Sequence, residues 1–262
     1  MDVIATGFVG AEGPIVLPDG AYALTDNDGV SRVGSDALVT TLATTGGDPN
    51  GLVLAADGCI LVANNGLVCR PGKVPGTIQS IAPDGSVREL AGGLDAPNDI
   101  AISPDGRVWF TDSVVCILDE TDSRPGRIHR FDHGRAEVIH EGLAFPNGLA
   151  FRTDGSLIVT ETKTGDLHVV DDNGARQWVR MPTGAPDGLT FAADGTGFVC
   201  CFDVGIVYVL NPRGDVVDEL HTGSDTWPTN CVLDGMGRLI VTEMKTGQLL
   251  AFDVGCKPQS TP

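Results

Sequence analysis

The chain has 262 residues, with 35 Asp and Glu against 17 Lys and Arg, a formal charge of −18. That length suits one large β or α/β domain or two small ones, and 42% hydrophobic residues exclude a disordered chain. The 35 glycines and 16 prolines argue against a helical bundle and for many short strands, while the acidic balance argues against nucleic acid or an anionic membrane as partner.

The chain opens on a short apolar stretch, Val3 to Phe8, that reads as a strand without a partner of its own. No basic segment followed by an apolar run marks a signal peptide, and no apolar stretch approaches the ~18 residues of a membrane span. From there one phrase recurs: EGPIVLPDG from Glu12, PNGLVLAADG from Pro49, PNDIAISPDG from Pro97, PNGLAFRTDG from Pro146, PDGLTFAADG from Pro186 and PTNCVLDGMG from Pro228. Aligned copies place Glu12, Asn50, Asn98, Asn147, Asp187 and Thr229 in equivalent positions, spaced by 38, 48, 49, 40 and 42 residues. A glycine follows eight residues after each, at Gly20, Gly58, Gly106, Gly155, Gly195 and Gly237. Each unit reads as short apolar strands joined at Asp-Gly turns, a strong hairpin signal, and no stretch sustains a helical period. Units of about 44 residues match a four-stranded propeller blade. The expected fold is therefore all-β, a single domain over residues 1–262. It is a six-bladed β-propeller whose N-terminal strand completes the last blade and removes two exposed edges.

A propeller places equivalent residues on a ring. Glu12, Asn50, Asn98, Asn147, Asp187 and Thr229 then face the central channel at one end, six side-chain oxygens suited to a hard cation. No His or Cys lies among them, which favours Ca²⁺, Mg²⁺ or Mn²⁺ over zinc or copper. Asn and Asp also begin strands because they suit turns, although Glu12 is a poor turn former. Fourteen residues after each ring position stand Asp26, Asn64, Asp112, Glu161, Cys201 and Glu243, which either orient the ring residues from outside or simply cap strand ends. Long loops follow Asn64 and Asp112, where the fourth and sixth units have only Lys-Thr-Gly. Long loops on one face commonly carry binding, and these bring Cys69, Arg70, Lys73, Leu118 and Arg124 towards the mouth. Phe145 and Trp227, two residues ahead of ring positions, either wall a pocket or wedge between blades. The seven cysteines are odd in number and contain no C-x-x-C spacing, so neither a disulfide framework nor a thiolate zinc site is expected and a reducing cytoplasm is the default location.

With Ala11-Glu12-Gly13-Pro14, Pro97-Asn98-Asp99, Pro146-Asn147-Gly148 and Pro186-Asp187-Gly188 in this order and spacing, the whole chain resembles the SMP-30/gluconolactonase/LRE-like family. The resemblance implies a six-bladed propeller related to diisopropylfluorophosphatases and paraoxonases. It also implies one axial divalent metal ion held by Glu12, Asn98, Asn147 and Asp187, with Ca²⁺ the first choice and Mg²⁺, Mn²⁺ or Zn²⁺ the alternatives. Sugar lactonases of the family often carry Arg where this chain has Ala96, which points to a less hydroxylated lactone. Gly13 stands where a second, paraoxonase-like calcium site needs an acid, so one metal is expected although Asp99 is retained. The histidines at 129, 133, 140, 168 and 221 lie outside the ring and receive no catalytic role.

The expected activity is metal-dependent hydrolysis of a lactone, a small-molecule substrate. Asp187 is the catalytic residue, as general base to water or as direct nucleophile. Asn50, Arg70, Phe145, Trp227 and Asp112 are the expected substrate contacts. A metal-assisted lyase or isomerase and a non-catalytic ligand-binding propeller are the alternatives, and oligomeric state stays open.

Overall fold

The computed structural model describes residues 1–132, 134–171 and 173–259. Its strands form six four-stranded antiparallel sheets. The innermost strands are Glu12–Val16, Pro49–Leu54, Pro97–Ile102, Pro146–Phe151, Pro186–Phe191 and Pro228–Leu233. Each packs beside the innermost strands of the blades before and after it, and Pro228–Leu233 lies beside Glu12–Val16, so the ring closes. The chain is a six-bladed β-propeller. In the last blade, Asp2–Thr6 pairs antiparallel with Gln248–Asp253, from Asp2 opposite Ala251 to Thr6 opposite Gln248. The first strand thereby covers an edge that would otherwise expose unpaired backbone groups. Among the described residues the one helical element is a short 3-10 turn at Phe202–Val204.

The repeated Asp-Gly pairs have a physical task. The carboxylates of Asp19, Asp57, Asp84, Asp154 and Asp194 each accept a hydrogen bond from the amide two residues on. The glycine of the innermost hairpin in all six blades sits at φ between +82° and +87°, a region that L side chains rarely adopt. Much of the acid and glycine excess is this one turn repeated. Six of the seven buried apolar clusters lie one at each interface between neighbouring blades. Apolar side chains from both faces of each sheet therefore feed a different seam.

Cys69 and Cys116 are joined by a disulfide, contrary to the expectation from cysteine count and spacing. The two half-cystines are 47 residues apart in the chain and belong to the long loops of adjacent blades, so side-by-side packing of those blades brings them together. No helix among the described residues is long and apolar enough to cross a membrane.

Phe198 is fully buried in the seam between the fifth and sixth blades, against residues such as Cys231 and Leu239. Phe198→Ala is expected to cost about 3–5 kcal/mol through lost burial and the cavity left behind, read as a lower urea midpoint with unchanged m-value.

Candidate metal centre and active site

In each blade the register between the first and second strands shifts within the first residues of the inner strand, as between Pro97 and Ile100 or Pro146 and Leu149. A bulge of this kind re-aims side chains locally. It occurs at the ring positions, and Glu12, Asn98, Asn147 and Asp187 are all buried there. Asp187 draws its carboxylate repulsion from Glu12 and Asp99, and the Asn147 amide beside it partly offsets that repulsion.

A second layer lies one residue further along each inner strand. Four of its six positions are glycines, Gly13, Gly51, Gly148 and Gly188; the other two are Asp99 and Asn230. A Cβ at Gly51 would overlap the Asp99 carboxylate, and one at Gly188 would overlap the Asn230 amide. The glycines thus leave the space that these two polar side chains fill. Asn230 Nδ2 donates to Asp99 Oδ2 at 3.4 Å, and the Leu149 amide donates to the same oxygen at 3.3 Å. Asn230 also lies beside Glu12 and lowers its carboxyl. Sequence reading noticed Asp99 but missed Asn230; shifting the repeat alignment by one residue would have found both.

The electrostatics are severe. Burial, then repulsion from Asp99, pushes the Glu12 carboxyl up to about 8. Burial pushes Asp99 up to about 6. Asp187 is raised well above the ordinary carboxylate range by burial, then by Glu12 and Asp99. None of the three forms an ion pair with Lys, Arg or His among the described residues. Ionised together, they need a compensating cation. The amide oxygens Asn50 Oδ1 and Asn98 Oδ1 are buried and accept no hydrogen bond from the described residues, although buried acceptors are normally satisfied. Carboxylate and amide oxygens without nitrogen or sulfur donors are the set a hard divalent cation takes, so the residues fit such an ion.

Thr229, the sixth ring residue, is different. Its hydroxyl donates to the Ala11 carbonyl at 2.8 Å, holding the strand that delivers Glu12. Related clamps hold other ring residues by their backbone: Thr111 Oγ1 donates to Asn147 O at 2.6 Å and Thr160 Oγ1 to Asp187 O at 2.8 Å. Thr162 receives the Asn147 amide at 3.2 Å and donates to Pro186 O at 2.8 Å.

The second set of polar residues, read from the sequence as orienting the ring or capping strands, braces the connections between blades. Asp112 accepts hydrogen bonds from the Ala96, Asp95 and Val114 amides, and Glu161 from the Ala144 amide. Glu243 accepts from the Trp227 amide. Cys201 has no such oxygen, and Asp203 takes over by accepting from the Ala185 amide. Asp112 was an expected substrate contact, but it is fully buried and its oxygens serve the loop that carries Asn98. Burial raises its carboxyl, and the nearby His129 ring, 3.7 Å away, with the hydrogen bond from the Ala96 amide outweighs that and lowers it. For Glu161 burial is likewise outweighed, by His168, the Ala144 amide and Thr164, and the carboxyl falls to about 2.

The remaining expected contacts scatter around the mouth. Arg70 pairs with Asp48 at 2.7 Å. Phe145 is buried against Val114 and Val115 with Ile117 alongside, in a left-handed conformation at φ +66° that is strained for a bulky residue. Trp227 stays partly exposed, edge-on to Phe202 and capped by the Lys245 ammonium 5.2 Å from its ring. Of the histidines, His129 stacks on Phe110 and His168 bonds Glu161; His133 lies outside the described residues. Glu161, Asp166 and His168 also converge, but Asp166 already takes a bidentate hydrogen bond from Arg180.

The model of the SMP-30/Gluconolactonase/LRE-like region matches residues 94–245. The chain belongs to this family. A gluconolactonase of Zymomonas mobilis subsp. mobilis is 26% identical over 281 residues, covering 92% of this chain and 77% of that protein. A 6-deoxy-6-sulfogluconolactonase of Pseudomonas putida is 30% identical over 149 residues, 53% of this chain and 50% of that enzyme. Among solved structures, the calcium-binding protein regucalcin of Agrobacterium tumefaciens str. C58 superposes with a TM-score of 0.81 at 17% identity, covering 99% of this chain and 95% of that one. At that identity the superposition establishes the shared propeller alone. The family member described here keeps its ring acids and amides at the end of the channel where its two long loops stand.

The raised carboxyls set a pH dependence for the cation-free protein. Glu12 and Asp99 hold their protons more tightly folded than unfolded, so their stabilising contribution is complete below the unfolded values near 4 and is lost as pH rises through about 6 and then about 8. With EDTA present, Tm is expected to fall between pH 5 and pH 8.5, and the Tm gain on adding Ca²⁺ to be larger at pH 8.5 than at pH 5. Calorimetry at both pH values checks this; an equal gain at both would count against a cation site built on these carboxylates.

Proposed function

We propose that this family member is a metal-dependent lactone hydrolase with its reaction centre at the axial ring. The observation that carries the reading is the meeting of buried Glu12, Asp99 and Asp187 without a cationic partner, beside buried amide oxygens that accept no hydrogen bond. The gluconolactonase and sulfogluconolactonase relatives support a cyclic ester as substrate class. Glu12, Asn98, Asn147 and Asp187 would hold one divalent ion, with Ca²⁺ the leading choice. Bound there, it supplies Lewis-acid stabilisation of the charge that develops on the carbonyl oxygen.

The chain's own residues do the rest. Asp187 takes the proton from the attacking water. Asn147, held by Thr162 through its amide, fixes the carboxylate of Asp187 in place. Glu12 and Asp99 keep negative charge around the ring, and burial excludes bulk water from it. Arg70 and Trp227 stand at the entrance as substrate-contacting groups, with Asn50 below them on the ring and Phe145 packed beneath the loop.

One observation bears on which lactone. Ala96 offers no side-chain donor, and the neighbouring loops contribute the apolar group Val114, Val115, Ile117 and Phe145. Val114, Val115 and Phe145 are buried within that group and Ile117 is its partly exposed member, so the missing donor at Ala96 is what supports a less hydroxylated lactone.

Acid release from a panel of aldonolactones and alkyl-substituted γ- and δ-lactones tests the reading. Activity is expected to vanish after EDTA treatment and to return with a divalent cation, with higher kcat/KM on the alkyl-substituted compounds. A panel that shows no cation-dependent hydrolysis overturns the proposal. Asp187→Asn is expected to lower kcat by at least 1,000-fold, roughly the loss of a general base with its associated electrostatics. Titration calorimetry separates loss of chemistry from loss of cation binding, and kcat within tenfold of the parent removes Asp187 from the catalytic role.

A further inference from the structure

The two long mouth loops are one object. The loop after Asn64 spans residues 65–75 and that after Asp112 spans 113–125, and the Cys69–Cys116 disulfide joins them. Each loop is rooted at a different part of the ring. On the Cys69 side, the Asn65 and Leu67 amides donate to the Asp48 and Gly47 carbonyls, and Arg70 pairs with Asp48. Those anchors sit on the connection that leads into Asn50. On the Cys116 side, the Ser113 amide donates to the Ala96 carbonyl, and Ser113 Oγ donates to the Pro146 carbonyl at 2.8 Å. Val114 and Val115 are buried against Phe145. Those anchors sit on the connections that lead into Asn98 and Asn147.

The covalent bond therefore spans three consecutive ring amides, Asn50, Asn98 and Asn147. Beyond the roots the loops have weak support. Residues 70–75 and 117–124 are largely exposed or half-buried, Leu118 is 78% exposed, and their hydrogen bonds are mostly local. Lys163 adds one exposed contact to the Asp122 carbonyl. Without the disulfide the 65–75 tip is tethered only at its root, the 113–125 tip keeps the exposed contacts Lys163–Asp122 and Arg124–Asp95, and the chain entropy that the cross-link removes returns.

We infer that the Cys69–Cys116 disulfide is a specificity-determining strap: it holds the apolar tip residues Ile117 and Leu118 and, opposite them, Arg70 at fixed distance across the mouth, and so sets substrate affinity without taking part in bond breaking. A phosphine reductant converts the disulfide to two thiols: it supplies two electrons, water supplies the two protons and the oxygen, and the phosphine leaves as its oxide, which frees the tips. Glu12 and Asp187 lie on blades that carry neither loop, and the Ser113 root bonds beside Asn98 and Asn147 do not depend on the disulfide, so the cation site stays intact. The kinetic half of this inference rests on the lactone-hydrolase reading; the mechanical half does not.

The test compares the parent protein, purified without reductant, with the Cys69→Ser/Cys116→Ser double variant, each with and without a phosphine reductant. Non-reducing peptide mapping must find the 69–116 cross-link in the parent. Hydrogen exchange in 65–75 and 113–125 is expected to rise at least tenfold in the variant and in the reduced parent, with the inner strands unchanged. On the best lactone of the panel, KM is expected to rise at least fivefold while kcat and Ca²⁺ affinity stay within twofold, and reductant should not affect the variant. Absence of the cross-link, unchanged loop exchange, or loosened loops with unchanged KM each overturn the inference. If the parent turns over no lactone, the proposed activity fails on its own. KM for catalysis is then replaced by dissociation constants for the same lactones measured by calorimetry, and equal values in parent and variant overturn the strap.

Discussion

Glu12, Asp99 and Asp187 are buried around one axis because each belongs to the start of an innermost strand, and the ring brings those starts together. Burial disfavours the ionised forms, and each carboxylate makes its neighbours harder to ionise. An uncompensated arrangement of this kind would be expelled by any fold free to rearrange. This fold is not free, because the strands that carry the acids are also the walls of six interblade cores. The repulsion is therefore retained as a standing demand for positive charge, and the amide oxygens of Asn50 and Asn98 add acceptors to the same demand.

Precision at the ring comes from a layer of polar side chains that do not face the channel. Asp112, Glu161, Glu243 and Asp203 hold the amides of the connections between blades, and threonines on the second strands hold the carbonyls of the ring residues in the next blade. The position of a ring side chain is thus set by the blade before it as well as by its own. Coupled positioning of this sort is how a site on loop-to-strand junctions obtains the rigidity that catalysis needs. The glycines at Gly51 and Gly188 belong to the same economy of space, since any side chain there would displace Asp99 or Asn230.

The mouth is built on a looser principle. Its two long loops are rooted by short hydrogen bonds near the ring, while their tips depend on a covalent link and on a small apolar cluster. Rigid chemistry below and an adjustable entrance above is a natural division for a propeller, where loops on one face vary without disturbing the seams between blades.

Repetition made the fold readable from the sequence. Six phrases at blade spacing, each ending in a turn glycine, leave little freedom once strand edges must be covered, and the lone first strand had only the last blade to complete. The same repetition placed Glu12, Asn98, Asn147 and Asp187 in register. What it could not show was direction and distance. Asp112 sits at a repeat position equivalent to Glu161 and Glu243, yet whether it faces substrate or backbone depends on which amides lie above it. Asn230 looked like an ordinary strand residue until the glycines opposite left it room. Cys69 and Cys116 carry no spacing signal, because their meeting depends on two long loops from neighbouring blades folding towards each other. Local periodicity and turn chemistry act between near neighbours in the chain and are written in it directly; the site, its braces and its strap join residues far apart in sequence, and only the packed propeller brings those together.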